Sequence, residues 1–223
     1  MFYWLMKKVF AGPWIRLAFR PWSRGVENVP ETGGAILASN HLAVIDSFVL
    51  PLVLDREIVF IGKSEYFTGT GLKGRLKAGF FRGVGTIPVD RSGGRASEQA
   101  LRTGLRRLQE GGLFGIYPEG TRSRDGRLYR GRTGVGWLAL TTGAPVVPVG
   151  LRGTERLQPP GGRGFRPHRF TLAAGEPLQF GHPGRRHGLP ERRQATADVM
   201  DAIAALSGQE RVDEYNTVPG ARG

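Results

Sequence analysis

Apolar runs of strand type recur along this chain at Ala35 to Ser39, Ile58 to Gly62, Val84 to Val89, Leu113 to Tyr117 and Pro145 to Gly150, and helix-compatible segments separate them. This βαβ rhythm constrains the fold more than any other feature, because it calls for a mainly parallel sheet covered by helices. The clearest helix is Arg95 to Gln109. Ala96, Ala100, Leu101, Gly104, Leu105 and Leu108 fall on one side of it, charges lie opposite, and Gly111-Gly112 supply the stop. His168 to Ala174 reads as a further strand and Glu191 to Leu206 as a closing helix, while the Gly/Pro/Arg-rich pieces Pro159 to Pro167 and Gly181 to Pro190 read as surface loops. The expected class is therefore α/β, with a mostly parallel central sheet flanked by helices.

A chain of 223 residues can bury a real core as one domain. We divide it into an N-terminal segment (1–25), a main domain (26–206) and a weakly ordered tail (207–223). There is no cysteine, which excludes disulfides, thiolate metal sites and a cysteine nucleophile together. The net charge of +13 favours polyanionic partners: a membrane surface, nucleic acid or phosphorylated ligands. Met1 to Trp22 mixes seven aromatic residues with Lys7, Lys8, Arg16 and Arg20, and its charges interrupt every apolar run. Such a stretch is too broken for a spanning helix, and suits an interfacial helical segment at the headgroup level. Thr133 to Leu151 is uncharged throughout, but Pro145, Pro148 and its glycines divide it into a short helix, a turn and a strand of the core.

In open parallel sheets, ligands sit outside the carboxyl ends of the strands. Four polar clusters follow such ends here: Asn40-His41, Lys63-Ser64-Glu65, Asp90-Arg91 and Pro118-Glu119-Gly120-Thr121-Arg122. His41 and Asp46 can form a general base and its orienting carboxylate, although a lone pair of this kind is more often a satisfied local contact. On one continuous helix they would lie about 140° apart, at roughly 100° per residue, so contact requires a turn between them. Arg91 and Arg122 offer planar forks for a phosphate, and Gly120 lets backbone approach a ligand closely. Glu119 can bond a substrate hydroxyl or hold an arginine.

Asn40-His41-x-x-x-x-Asp46, Gly85-Thr-Ile-Pro-Val-Asp90-Arg91, Tyr117-Pro-Glu-Gly-Thr-Arg-Ser123 and Val146-Val-Pro-Val-Gly150 resemble, in order and spacing, four blocks of the PlsC-like glycerolipid acyltransferases of the lysophosphatidate type. Gly175-Glu176-Pro177-Leu178 extends the likeness. The resemblance implies transfer of a fatty acyl group from acyl-coenzyme A or acyl carrier protein to the free hydroxyl of a lysophospholipid, most simply 1-acylglycerol 3-phosphate. It makes His41 the base and Asp46 its orienter, and gives Asn40, Lys63, Arg91, Glu119, Gly120, Thr121 and Arg122 as the substrate-binding set. Val146, Pro148 and Val149 would border the acyl donor. No metal or redox cofactor is implied. The expected partners are the two substrates and a membrane surface met through the N-terminal segment, with no nucleic acid, at the cytoplasmic face of the plasma membrane. Tyr117 stands where phenylalanine is usual and Pro88 where a bulky apolar residue is common, neither at a residue given a chemical role. Other readings are poorer. Gly69-Thr-Gly71-Leu-Lys-Gly74 is a formal dinucleotide motif, but Ser64 to Thr68 separate it from its strand. No GxSxG or Walker A pattern occurs, and a basic module binding nucleic acid or anionic lipid lacks its usual fingerprints.

Overall fold

The computed structural model describes residues 22–54, 56–63, 71, 74–75, 79, 86–89, 96–157, 166, 168–181 and 187–217. In chain order the elements are β1 (Trp22–Arg24), β2 (Ala35–Ser39), α1 (Asp46–Val53), β3 (Ile58–Lys63), β4 (Thr86–Val89), α2 (Ala96–Gln109), β5 (Leu113–Ile116), β6 (Leu128–Tyr129), α3 (Gly134–Thr142), β7 (Val146–Arg152), α4 (Thr154–Leu157), β8 (Thr171–Ala174), α5 (Leu189–Ser207) and β9 (Arg211–Val212). Seven strands form one sheet in the order β1-β8-β7-β2-β5-β3-β4, and β6 pairs with β9 apart from it. The five central and distal strands β7, β2, β5, β3 and β4 are mutually parallel, as the alternating rhythm requires. β8 runs antiparallel to β7, and β1 parallel to β8.

Both faces of the sheet are covered, which is why its middle strands read as unbroken apolar runs. All five residues of β2 are buried, and they divide by the two-residue strand period: Ala35 and Leu37 join a core beneath α1, Ile36 and Ala38 one beneath α2, α3 and α5. On the first face Val49, Leu50 and Leu54 meet Phe60 and Phe170; on the second Leu138, Val199, Met200 and Ile203 meet Phe114. Those three phenylalanines are under 2% exposed or at it, and each full burial contributes about 2–3 kcal/mol. α3 crosses α5 at Gly136, where a Cβ would stand 2.3 Å from the Arg192 carbonyl oxygen. Only glycine admits that approach of the two backbones.

Two boundaries differ from the sequence reading. Trp22 to Arg24, assigned to the interfacial segment, are instead an edge strand of the sheet, because β8 offers them an open ladder and Trp22 N–H donates to Phe170 O at 3.1 Å. The tail assigned from residue 207 is docked as far as residue 217: Ser207 ends α5, Gly208 caps it in the left-handed region, and β9 follows. Backbone pairing of Leu128 N–H to Glu210 O and of Arg130 N–H to Glu214 O holds it down. Residues 1–21 of the N-terminal segment, most of the Gly69 to Gly74 stretch, most of the Pro159 to Pro167 loop and residues 182–186 of the other lie outside the described residues, and Leu189 and Pro190 of that second loop open α5. Among the described residues no helix is long and apolar enough to cross a membrane.

Candidate active site

The carboxyl ends of β2, β5 and β7 are neighbours, so the chain segments leaving them meet. After Ser39 the chain leaves the ladder, turns, and enters α1 at Asp46. This turn brings His41 back onto Asp46: Nδ1 lies 2.9 Å from Oδ2, as the required break between strand and helix allows. The same oxygen accepts the N–H groups of Leu42 at 2.7 Å and Ala43 at 2.8 Å. Asp46 is fully buried, and three donors converge on one oxygen, so Nδ1 carries a proton and the imidazole lone pair is at Nε2. The His41 side chain is 15% exposed, and Nε2 makes no hydrogen bond to any described residue. A hydrogen-bonded carboxylate thus fixes tautomer and ring direction while the basic nitrogen faces outward.

Tyr117 stacks on the other face of this ring, with centroids 3.9 Å apart and planes 9° from parallel. Its hydroxyl lies 3.0 Å from Ser47 Oγ. Burial, and after it the negative charge of Asp46, push the phenol well above its usual range, so it stays neutral. One of the two residues that depart from the family pattern therefore touches His41 directly. Sequence comparison of the block alone had placed it outside the chemistry, since its partners lie 70 and more residues away.

Glu119 is held by backbone amides rather than by an arginine among the described residues. It is 1% exposed, and its Oε1 accepts His41 N–H at 3.3 Å while Oε2 accepts Tyr129 N–H at 3.0 Å. With Ser123 N–H donating to His41 O at 2.8 Å, both backbone groups of His41 are held by the loop that follows β5. Burial raises the Glu119 carboxyl to about 7, against the lowering effect of the two amide donors. Asn40 likewise ties the fold together. Its amide oxygen accepts Leu151 N–H at 2.8 Å, and its amide nitrogen donates to Leu151 O at 2.9 Å and to Gln209 Oε1 at 2.7 Å. A fully buried side chain with these bonds continues the β2–β7 pairing past the point where the β2 backbone turns away.

Gly120, Thr121 and Arg122 are at the surface of the same loop, next to His41. Gly120 has φ +78°, and a Cβ there would stand 2.9 Å from Arg132 Nε, so a second guanidinium lies beside the glycine. Nothing in the sequence motif marked Arg132. Asp125 orders the loop by accepting Ser123 Oγ–H, Arg127 Nε–H and Tyr129 O–H. Residues 209–216 then strap it: Gln209 donates to Gly126 O, Asn216 donates to Arg122 O, and the Tyr215 ring lies under both Arg130 and Arg132. Val146, Pro148 and Val149 are buried in β7 between β2 and β8, and both faces of that strand are covered. They are interior to the sheet, without exposed surface of their own. Lys63 ends β3 at the same edge of the sheet, paired with Val89, and Arg91 lies outside the described residues. Among the described residues no group of histidines and carboxylates forms a metal site.

The site is thus a histidine held on a buried carboxylate, beside exposed arginines, at the carboxyl edge of the mostly parallel sheet of an α/β protein. The chain belongs to the Acyltransferase family, whose model matches residues 20–152. It is 29% identical over 173 residues to the 1-acyl-sn-glycerol-3-phosphate acyltransferase of Bacillus subtilis, covering 77% of this chain and 78% of that one. Identity to the Pseudomonas aeruginosa protein of the same name is 30% over 198 residues, 85% of this chain and 71% of the other. A chloroplastic relative from Brassica napus is 30% identical over 75% of this chain, which spans 47% of that longer protein. The crystal structure of the 1-acyl-sn-glycerophosphate (LPA) acyltransferase PlsC from Thermotoga maritima superposes with a TM-score of 0.66 at 27% identity, over 92% of this chain and 78% of that one.

Proposed function

We propose that the protein transfers a fatty acyl group from a thioester, acyl-coenzyme A or acyl carrier protein, to the free hydroxyl of 1-acylglycerol 3-phosphate. The observation that carries this reading is the His41–Asp46 contact, with Nε2 open. The names of the relatives support the acceptor and the reaction. As the acceptor oxygen attacks the thioester carbonyl carbon, Nε2 takes its proton, and Asp46 stabilises the resulting imidazolium. Collapse of the tetrahedral intermediate breaks the carbon–sulfur bond, and the imidazolium returns the proton to the departing thiolate. Products are diacylglycerol 3-phosphate and free thiol, with no net proton change. In this reading Arg122, flanked by Arg132 and helped by Thr121 and Arg91, grips the acceptor phosphate, and the step needs no cofactor beyond the two substrates. Glu119 and Asn40 support the site from behind. The N-terminal aromatic and basic segment would attach the enzyme to the cytoplasmic face of the plasma membrane as a peripheral or monotopic protein.

The test is a mass-spectrometric assay over a panel of lysophospholipid, glycolipid and amino-acid lipid acceptors with acyl-coenzyme A and acyl carrier protein donors, with His41→Ala as control. Turnover of 1-acylglycerol 3-phosphate that vanishes in the variant is expected. Retained turnover in a purified, folded His41→Ala sample would sink the mechanism. Arg122→Gln should raise the acceptor KM more than the donor KM, and equal effects on both would assign Arg122 a structural role.

A further inference from the structure

A second basic feature lies on the other side of β2 from the phosphate loop. A cavity of about 400 Å³ opens among β1, β8, the end of β7 and α4. Arg24, Arg152, Arg156 and Arg169 line it together with His168, against a single carboxylate, Glu155. Arg152 is committed, with Nε and Nη2 both on the Leu206 carbonyl at 3.2 and 2.9 Å. Arg24, Arg156 and Arg169 are exposed, and the Arg156 side chain is 70% so, 3.8 Å from Glu155. At the rim stands Trp22, 60% exposed, more than any other large apolar side chain among the described residues. The Arg24 guanidinium lies 5.9 Å from its ring centroid.

The register places this cavity on a definite side of the molecule. Thr171 pairs with Arg152 and with Trp22, so the starts of β1 and β8 sit at the carboxyl end of β7. That is the edge at which β2 releases His41, because Ser39 pairs with Val149. The cavity and the base therefore open along one edge of the sheet. An indole beside guanidinium groups is suited to the polar interface of a bilayer, where the ring enters the headgroup layer and the cations meet phosphates. Immediately upstream, in sequence, runs the aromatic and basic stretch Met1 to Pro21.

We propose that the Trp22–Arg24–Arg156–Arg169 cavity binds the phosphates of anionic phospholipids at a bilayer surface, a contact of the folded domain in addition to the N-terminal segment. It holds the carboxyl edge of the sheet, with His41, against the lipid in which a lysophospholipid resides. The proposal concerns membrane binding and is measured without turnover, so its failure and that of the acyl-transfer reading are separable. In full-length protein, Arg156→Gln combined with Arg169→Gln should weaken binding to phosphatidylcholine vesicles carrying phosphatidylglycerol by roughly thirtyfold at low salt, at about fivefold per arginine. Binding to pure phosphatidylcholine should be unchanged, as should kcat on detergent-dispersed substrates. Arg24→Gln alone should give about a fivefold loss by the same reasoning. Unchanged binding to the anionic vesicles, or equal losses on both lipids, would overturn the proposal. So would loss of free coenzyme A binding in the double variant with vesicle affinity retained, which would assign the cavity to a soluble phosphate ester.

Discussion

Glu119 gives the sharpest quantitative test, because its carboxyl is buried between two amides and has no cationic partner among the described residues. Burial raises it from an ordinary 4.5 to about 7, so the folded protein holds this proton more tightly than the unfolded chain does. Between these values the folded state carries the larger number of bound protons, and stability must fall as pH rises. Below 4.5 the term is absent, and above 7 it has reached its full size. At 1.36 kcal/mol per pH unit, the loss between pH 5 and pH 8 is about 2–3 kcal/mol. Glu119→Gln removes the titration and leaves one amide N–H facing an amide NH2, a fixed cost of about 1–3 kcal/mol at every pH. Urea unfolding of wild type and variant in the same detergent at pH 5, 6, 7 and 8 separates the two terms, since most other titrating groups cancel in the difference. The wild type should lose its advantage steadily as pH rises, and the gap should change by about 2–3 kcal/mol, or roughly 5–10 °C in Tm for a chain of this size. A gap constant across that range would refute the placement of Glu119 as an unpaired buried acid.

Asp46→Asn keeps the shape but loses the charge that holds three donors, and should lower kcat by about 10³–10⁴ while the acceptor KM moves little. A pH–rate profile with unchanged kcat would show that His41 needs no orienter. Asn40→Leu leaves the Leu151 N–H and carbonyl without partners in the interior and should cost about 2–4 kcal/mol in chemical denaturation. A loss under 1 kcal/mol would mean that the ladder extension is incidental. Gly136→Ala forces α3 off α5 and should destabilise by about 1–3 kcal/mol, read as a shift in the denaturation midpoint with unchanged slope.

What was legible in the sequence was what neighbours along the chain decide. β2 matches its apolar run residue for residue, and the His41–Asp46 contact follows from a five-residue spacing across a strand-to-helix turn. The polarity of β8 was not legible, since a single short strand reads alike in either direction. Asn40 and Glu119 carried polar side chains at the right place in the motif, which suggested contact with substrate. Their actual partners, Leu151 and Gln209 for one and Tyr129 for the other, are known only once the loop after β5 and the segment after α5 are laid against them. For Val146, Pro148 and Val149 the sequence shows burial but not surroundings, since an apolar strand within a motif looks the same whether it lines a site or lies in the sheet beside it. Tyr117 looked like a tolerated variation of phenylalanine until the ring of His41 was found stacked on it.

The strap of residues 209–216 has a consequence for how the protein comes into being. Asn40 is made 169 residues before the Gln209 that ties it, and Arg122 94 residues before Asn216. A nascent chain folds from its N-terminus as it emerges. The sheet can therefore close around a His41 that is present but not yet braced, and the site is completed only when residues 209–216 are free to lie down across it. Emergence of this later segment thus sets the time at which the site reaches its final form.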